Sequence, residues 1–204
     1  FTLPQILASA DAAMEGIRIA EHNGINLKRW RAVITMMIGR LTEQETLDIQ
    51  AERKNIKLSW QDKHWFGIAV FRRAYRILTE KGYASKMLAC SMRPGPHVAG
   101  KTRFWDLQKI AGGDIVYTCP PYVLEPLFDI GDNLFFESEI EEEIPDDVLD
   151  KLMQIPYCIQ AYDPNGLALE QFNDHPSTVS TVETFSKGFS GLEGFISKRM
   201  VVHQ

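Results

Sequence analysis

Two arginines and a serine follow short apolar runs of this sequence, in positions that suit the binding of an anion. Arg40 comes after the run at residues 33–38 and a glycine. Arg93 comes after the run at residues 87–90, with Ser91 two positions before it. Guanidinium groups and hydroxyls donate the hydrogen bonds that phosphate oxygens accept. Together they predict a phosphate site, most simply for a sugar phosphate. The alternative for each arginine is an ion pair with a helix carboxylate.

Two threonines are further candidates for chemistry. Thr2 and Thr35 carry hydroxyls in predicted strands, where a hydroxyl can hold a catalytic water or a substrate hydroxyl. The alternative is a threonine that is satisfied within its strand. Lys86 opens a predicted strand at the end away from the ligand, so it is a poor candidate nucleophile. The histidines and cysteines have no metal-ligand spacing, so we expect no metal and no other cofactor.

The segments that position these residues alternate between strand and helix. Apolar, β-branched runs predict buried parallel strands, at residues 31–38, 86–91 and 114–119. Apolar residues at helical spacing predict helices between and after them, at residues 5–21, 65–81, 104–111, 123–127, 146–154 and 179–200. The alternation predicts an α/β fold with a parallel sheet covered by helices.

The remaining segments predict connections and a helical extension. Residues 42–59 are polar, and residues 94–100 are rich in turn formers, so both predict excursions beyond the ends of the strands. The acidic residues 137–143 predict a solvated surface. No linker or repeat divides the chain, which predicts a single domain over residues 1–204, with residues 131–204 as its C-terminal helical extension.

Composition and charge exclude several classes of protein. The 204 residues are 45% hydrophobic and 24% charged, which is typical of a globular domain. The formal net charge of -5 does not favour nucleic acid or an anionic membrane surface as a partner. No apolar stretch approaches the roughly 20 residues of a membrane span. The three cysteines are widely separated, which favours a reducing cytoplasm over a disulfide framework.

The motifs that carry these candidates resemble those of transaldolases, the class I aldolases of the pentose phosphate pathway. Thr-Met-Met-Ile-Gly-Arg at residues 35–40 is similar to the family's Ser-Pro-Phe-Val-Gly-Arg, and Cys-Ser-Met-Arg at residues 90–93 to its Ala-Ser-Phe-Arg. Residues 1–3 resemble the family's Asn-hydrophobic-Thr-Leu strand, and residues 111–118 resemble its Ala-Gly-Cys-Asp stretch. The order and spacing of the motifs extend the resemblance over nearly the whole chain.

The resemblance implies a fold, a reaction and a set of residue roles. The fold would be a (β/α)₈ TIM barrel, of which this chain would hold the C-terminal half and the C-terminal helices. The reaction would transfer a dihydroxyacetone unit from sedoheptulose 7-phosphate or fructose 6-phosphate to an aldose phosphate, through a lysine Schiff base. The phosphate would be bound by Arg40, Ser91 and Arg93. Thr2 would position the catalytic water, and Thr35 would contact the substrate.

Departures from the family limit this expectation. Met37 and Met92 stand where the family has phenylalanines, and Thr35 stands where it has a serine, so the shape of the pocket and the acceptor stay open. The family's Schiff-base lysine, glutamate and aspartate would precede Phe1, and nothing here matches them. Because the covalent step needs that lysine, we expect this chain to be the later part of a longer transferase and to be inactive alone.

Two alternatives remain at this point. One is a simple sugar-phosphate aldolase on the same scaffold, and the other is a non-catalytic protein that binds sugar phosphates. In each case the expected partners are small sugar phosphates, with neither nucleic acid nor membrane, and a homodimer is a candidate assembly. The expected location is the cytoplasm.

Overall fold

The computed structural model describes residues 2–27, 32–98, 101–131 and 135–200. In chain order, its helices and strands are α1 (Leu3–His22), β1 (Val33–Met37), α2 (Ile38–Thr42), α3 (Glu45–Arg53), α4 (Trp60–Glu80), β2 (Lys86–Cys90), β3 (His97–Val98), β4 (Lys101–Thr102), α5 (Trp105–Lys109), β5 (Ile115–Tyr117), α6 (Pro121–Ile130), α7 (Asp146–Leu152), α8 (Pro156–Tyr162) and α9 (Pro176–Met200), with a 3₁₀ turn at Leu169–Gln171.

A small parallel sheet carries the candidate residues. Its strands lie in the order β1-β2-β5, and the β1–β2 register runs from Val33 opposite Lys86 to Met37 opposite Cys90. The β2–β5 register begins with Met87 opposite Ile115, and β3 and β4 form a separate antiparallel pair. Alternate side chains of β1 and β2 are buried against the helices, as the two-residue period of a strand requires: Ile34, Met36, Met87 and Ala89.

Helix α4 is the centre of the helical layer. Its first turn is closed by a capping box, in which the Ser59 hydroxyl accepts from the Asp62 backbone and the Asp62 carboxylate accepts from Ser59. Helix α4 packs against α1, α2, α5, α7 and α8. Phe66 and Phe71 are fully buried, and burial of each contributes about 1.5–3 kcal/mol to folding. The apolar residues whose spacing predicts this helix therefore also form the core.

The start of α9 is held by a buried polar cluster. The ring of His175 stacks on Tyr157 with 5.1 Å between centroids, and its Nδ1 lies 2.7 Å from Ser177 Oγ. Tyr157 in turn donates to the carbonyl oxygen of Leu41 at 3.1 Å. Burial lowers the pKa of His175 to about 4, so this histidine packs as a neutral side chain at pH 7. The cluster fixes α9 beside α2.

The prediction that this chain forms half of a (β/α)₈ barrel is wrong. Most of the described chain is helical, and its three parallel strands form an open sheet, in which β1 and β5 each pair only with β2 among the described strands. A barrel has no edges, because its first and last strands pair with each other. Here one face of the sheet is uncovered, and Val33, Thr35 and Val116 are exposed on it.

Several element boundaries also differ from the predictions. Residues 42–59, predicted as an excursion, include α3, because Leu47 and Ala51 give that polar stretch a buried face. The strand expected at residues 1–3 is replaced by the start of α1, where Thr2 is the N-cap and Leu3 the first helical residue. Phe1 and Arg31, at the starts of two predicted strands, lie outside the described residues. None of the helices in the described part of the chain has the length and apolar character needed to cross a membrane.

Candidate phosphate site

The carboxyl ends of β1 and β2 meet at one edge of the sheet. The last paired residues of the two strands are Met37 and Cys90. Just beyond them, the backbone N–H of Gly39 donates to the carbonyl oxygen of Ser91 at 3.0 Å. The two segments therefore stay in contact after the strands end. We call this region the strand-end site, and it comprises Gly39, Arg40, Ser91 and Arg93.

Position 39 accommodates only a glycine without displacement of its neighbours. A Cβ atom on Gly39 would lie 2.3 Å from the carbonyl oxygen of Ser91 and 3.0 Å from Cζ of Arg93. The first distance is far inside van der Waals contact with a backbone atom, which cannot rotate away as a side chain can. Any larger residue would therefore push the two segments apart. Gly39 sets how closely the two strand ends approach each other.

Ser91 turns the chain back toward the strand ends. Its φ of 58° lies in the left-handed region, which is uncommon for a residue other than glycine and is found often at functional sites. In this conformation both its carbonyl oxygen and its hydroxyl accept from Nη1 of Arg93, at 2.8 and 3.1 Å. The turn at Ser91 thus anchors the Arg93 guanidinium at the end of β2.

Arg93 is also paired with a carboxylate. Its Nε donates to Oε1 of Glu43 at 2.7 Å, and its Nη2 donates to Oε2, which makes a bidentate pair. The Glu43 carboxylate raises the pKa of the Arg93 guanidinium. The side chain of Glu43 is 49% exposed and that of Arg93 is 22% exposed. The sequence left open that Arg93 forms an ion pair with a helix carboxylate. Arg93 does form an ion pair, with Glu43, the residue that directly follows α2.

Arg40 has few partners by comparison. Its Nη1 lies 3.4 Å from the Thr184 hydroxyl on α9, and its Nε is buried without a hydrogen-bond partner. Within the described ranges, Arg40 forms no ion pair. Buried donors in folded proteins are nearly always satisfied. Across the described part of the chain, Arg40 thus carries a positive charge that no carboxylate pairs with.

The two candidate threonines lie apart from this site. Thr35 is exposed in the middle of β1, on the uncovered face of the sheet, and lines an open groove of about 540 Å³ together with Gln5 and Phe172. Thr2 is fully buried as the N-cap of α1, where its hydroxyl accepts from the backbone N–H of Gln5 at 3.4 Å. The structure gives Thr2 a capping role, and its assignment to a catalytic water stays a prediction.

Two buried side chains behind Arg93 were missed by sequence reasoning. The Asp106 carboxylate accepts from the backbone N–H of Arg93 at 3.0 Å through Oδ2, and its Oδ1 lies 2.7 Å from Nδ1 of His64. Both side chains are almost completely buried. No local signal could have found this pair, because its members are 42 positions apart and neither belongs to a recognisable motif.

Other reactive residue types are engaged elsewhere. Lys86, at the amino end of β2, forms an ion pair with Asp114. Burial raises the pKa of the Cys90 and Cys119 thiols, which disfavours the nucleophilic thiolate. Among the described residues, no three histidine, cysteine, aspartate or glutamate side chains are grouped so that they could hold a metal ion. The geometry around the strand ends thus supplies hydrogen-bond donors and positive charge.

Comparisons with known proteins identified no relative of this chain. Neither a scan against protein-family models nor searches of curated proteins and of solved structures found a significant match to this chain.

Proposed function

We propose that the strand-end site binds the phosphate of a sugar phosphate, as part of a transaldolase-type transfer of a dihydroxyacetone unit. The donor would be sedoheptulose 7-phosphate or fructose 6-phosphate, and the acceptor an aldose phosphate. One observation carries this proposal: Gly39 and Ser91 join the ends of two parallel strands, and the Arg93 guanidinium is anchored on Ser91 at that junction. Ligands of parallel α/β sheets characteristically bind at the carboxyl ends of the strands.

Each residue of the site has a distinct part in this proposal. Arg93 offers a planar fork of donors, which suits two phosphate oxygens at once. The Ser91 hydroxyl, which accepts from Arg93, keeps its own proton to donate to a third oxygen. Arg40 supplies a second positive charge from α2. Together these groups match a doubly charged phosphate better than a neutral sugar hydroxyl.

Glu43 has to leave Arg93 for this binding to occur. A carboxylate and a phosphate compete for the same fork of the guanidinium, and the Glu43 side chain is half exposed. A phosphate dianion carries twice the charge of a carboxylate, so it attracts the guanidinium more strongly than Glu43 does. The occupied fork shows where an anion fits.

The covalent chemistry needs a group that the strand-end site does not contain. The transferase reaction implied by the resemblance proceeds by imine formation on a lysine, carbon–carbon cleavage by a carboxylate acting through water, and addition to an aldose phosphate. Lys86 lies at the opposite end of β2 and is paired with Asp114. The proposal thus assigns phosphate binding to this chain and the reactive lysine to a residue outside the site. We propose a cytoplasmic location, which the free thiols of the three cysteines support.

Among the described residues, no lysine contacts the strand-end site, and this favours one second candidate, a non-catalytic protein that binds sugar phosphates. Borohydride reduction in the presence of fructose 6-phosphate separates the two. A covalent adduct found by mass spectrometry supports the transferase. A folded, phosphate-binding protein that forms no adduct supports the binding protein.

Phosphate recognition itself is tested by titration calorimetry with fructose 6-phosphate and with fructose. We expect Arg93→Ala to lower the affinity for fructose 6-phosphate about 10- to 100-fold, which is the effect of losing a charge-assisted hydrogen-bonded pair. The affinity for fructose should not change. Arg76→Ala is a matched control, because Arg76 is paired with an exposed carboxylate, that of Glu143, away from the site. Equal losses for both ligands would mean that Arg93 has a structural role only.

A further inference from the structure

The buried pair of His64 and Asp106 lies directly behind the phosphate-binding guanidinium. Asp106 is 1% exposed, and its two carboxylate oxygens have separate partners. Oδ2 accepts from the backbone N–H of Arg93 at 3.0 Å, and Oδ1 lies 2.7 Å from Nδ1 of His64. A single buried carboxylate therefore connects the segment that follows β2 to helix α4.

The histidine of this pair is fixed from both sides. Its ring stacks on Trp60 with 3.8 Å between centroids, and the edge-on ring of Trp105 is 6.2 Å away. Because Trp60 and His64 belong to α4, the imidazole moves only with that helix. Asp106 belongs to α5, whose first residue is Trp105. Two helices thus converge on one carboxylate, and that carboxylate holds a backbone amide of the strand-end site.

The backbone amide of Arg93 donates to the Asp106 carboxylate, whereas its side chain is held by Ser91 and Glu43. Met92 is fully buried and anchors the segment on one side, whereas Ser91 is in the left-handed conformation, which costs free energy unless its surroundings enforce it. The hydrogen bond from the Arg93 amide to Asp106 opposes relaxation of that turn. Hydrogen bonds to a charged, buried acceptor are among the stronger ones in proteins.

We infer that Asp106 is a positioning residue for phosphate recognition, with His64 as its support: it holds the backbone of Arg93 so that the guanidinium faces the strand ends. This inference rests on the proposed phosphate-binding function. The inference adds that a buried histidine–aspartate pair on two helices orients Arg93. Neither His64 nor Asp106 contacts the ligand directly.

The test uses substitutions that separate geometry from charge. Asp106→Ala removes both carboxylate oxygens. We expect it to lower the affinity for fructose 6-phosphate about tenfold, which is the effect of losing one strong hydrogen bond. Asp106→Asn retains an oxygen that can accept from the Arg93 amide, so we expect its affinity for fructose 6-phosphate to stay within about twofold of the wild-type value. Asp106→Glu keeps the charge but moves the carboxylate by one methylene, so it should resemble Asp106→Ala.

The readouts are the affinities for fructose 6-phosphate and fructose, and hydrogen exchange at the Arg93 amide. Leu152→Ala is the control for general destabilisation, because Leu152 is fully buried in α7, away from the site; it should leave both affinities unchanged. If the wild-type protein does not bind fructose 6-phosphate, the proposed function fails. If it binds and a folded Asp106→Ala binds equally well, the positioning role fails. Where Asp106→Ala does not fold, wild-type affinity of Asp106→Glu overturns the inference in the same way.

Discussion

The two arginines of the strand-end site have opposite surroundings. Arg93 is held at three points: its guanidinium by Ser91 and by Glu43, and its backbone amide by Asp106. Arg40 has one long contact, to a hydroxyl of α9, and a buried Nε without a partner. Both follow the ends of neighbouring parallel strands. The two residues thus share a position relative to their strands, but the guanidinium of Arg93 is fixed by Ser91 and Glu43, whereas that of Arg40 extends toward α9.

This difference has a consequence for recognition. A guanidinium held in one orientation supplies directional hydrogen bonds, at little cost in side-chain entropy when a ligand binds. A guanidinium with few partners supplies charge, and its effect depends less on geometry. We therefore expect Arg93 to determine which anions fit and Arg40 to strengthen the binding of all of them. The predictions below test that division, from the largest effect to the smallest.

The largest effect is expected from Gly39→Ala, which attacks the junction on which both arginines depend. The added Cβ would meet the carbonyl oxygen of Ser91 at 2.3 Å. We expect the free energy of unfolding to fall by about 1–3 kcal/mol, the usual effect of overpacking, and phosphate binding to be lost. Urea denaturation and calorimetry measure the two effects.

Gly16→Ala is the matched control for this substitution. Gly16 lies within α1, and an added Cβ would have nothing within 4 Å. Because alanine is the better helix former, we expect this variant to gain up to about 1 kcal/mol. A Gly39→Ala protein that keeps wild-type stability and phosphate affinity would show that the close approach of the strand ends is not needed.

The meeting of the two strand ends was more predictable from the sequence than the extent of the sheet. Apolar runs before Gly39 and Ser91 predict β1 and β2, and adjacent parallel strands necessarily bring their carboxyl ends together. The long periodic helices α1, α4 and α9 were also predictable, because each shows several turns of apolar spacing. Whether the sheet closes could not be predicted from the sequence. Closure depends on whether further strands pair at the edges of the sheet, and no local run of residues determines this.

The partners of the arginines lie beyond sequence reasoning for a related reason. Glu43 and Arg93 are 50 positions apart, and His64 and Asp106 are 42 apart. Each pair forms because the packing of the helices brings a charged residue, within a helix or just after one, next to the strand ends. Charge alone could not select Glu43, since the segment around it also contains Glu45 and Asp48.

Arg93→Lys tests whether the better-anchored arginine acts through its geometry. Lysine keeps the charge and loses the fork, so we expect the affinity for fructose 6-phosphate to fall about tenfold, as for the loss of one charge-assisted hydrogen bond. Calorimetry at constant ionic strength measures this loss. Wild-type affinity in the lysine variant would mean that Arg93 contributes charge only.

Glu43→Gln tests the competition for the Arg93 fork and changes affinity in the opposite direction. The neutral amide competes less well than the carboxylate for the guanidinium, so we expect fructose 6-phosphate to bind about threefold more tightly. Glu45→Gln, on the next helix, is the control and should bind as the wild-type protein does. Weaker binding to Glu43→Gln would indicate that the carboxylate orients Arg93 for its ligand.

Arg40→Lys should have the smallest effect and gives the sharpest contrast with Arg93. Within the part of the chain that the structure describes, the guanidinium of Arg40 forms one hydrogen bond, at 3.4 Å to Thr184, and lysine keeps the positive charge. We therefore expect the affinity for fructose 6-phosphate to change by less than about twofold, because a point charge is little altered by this exchange. Arg40→Gln, which removes the charge, should weaken binding several-fold and make it less sensitive to salt. If Arg40→Lys instead loses as much affinity as Arg93→Lys, both arginines bind phosphate as forks, and the division of roles between them is wrong.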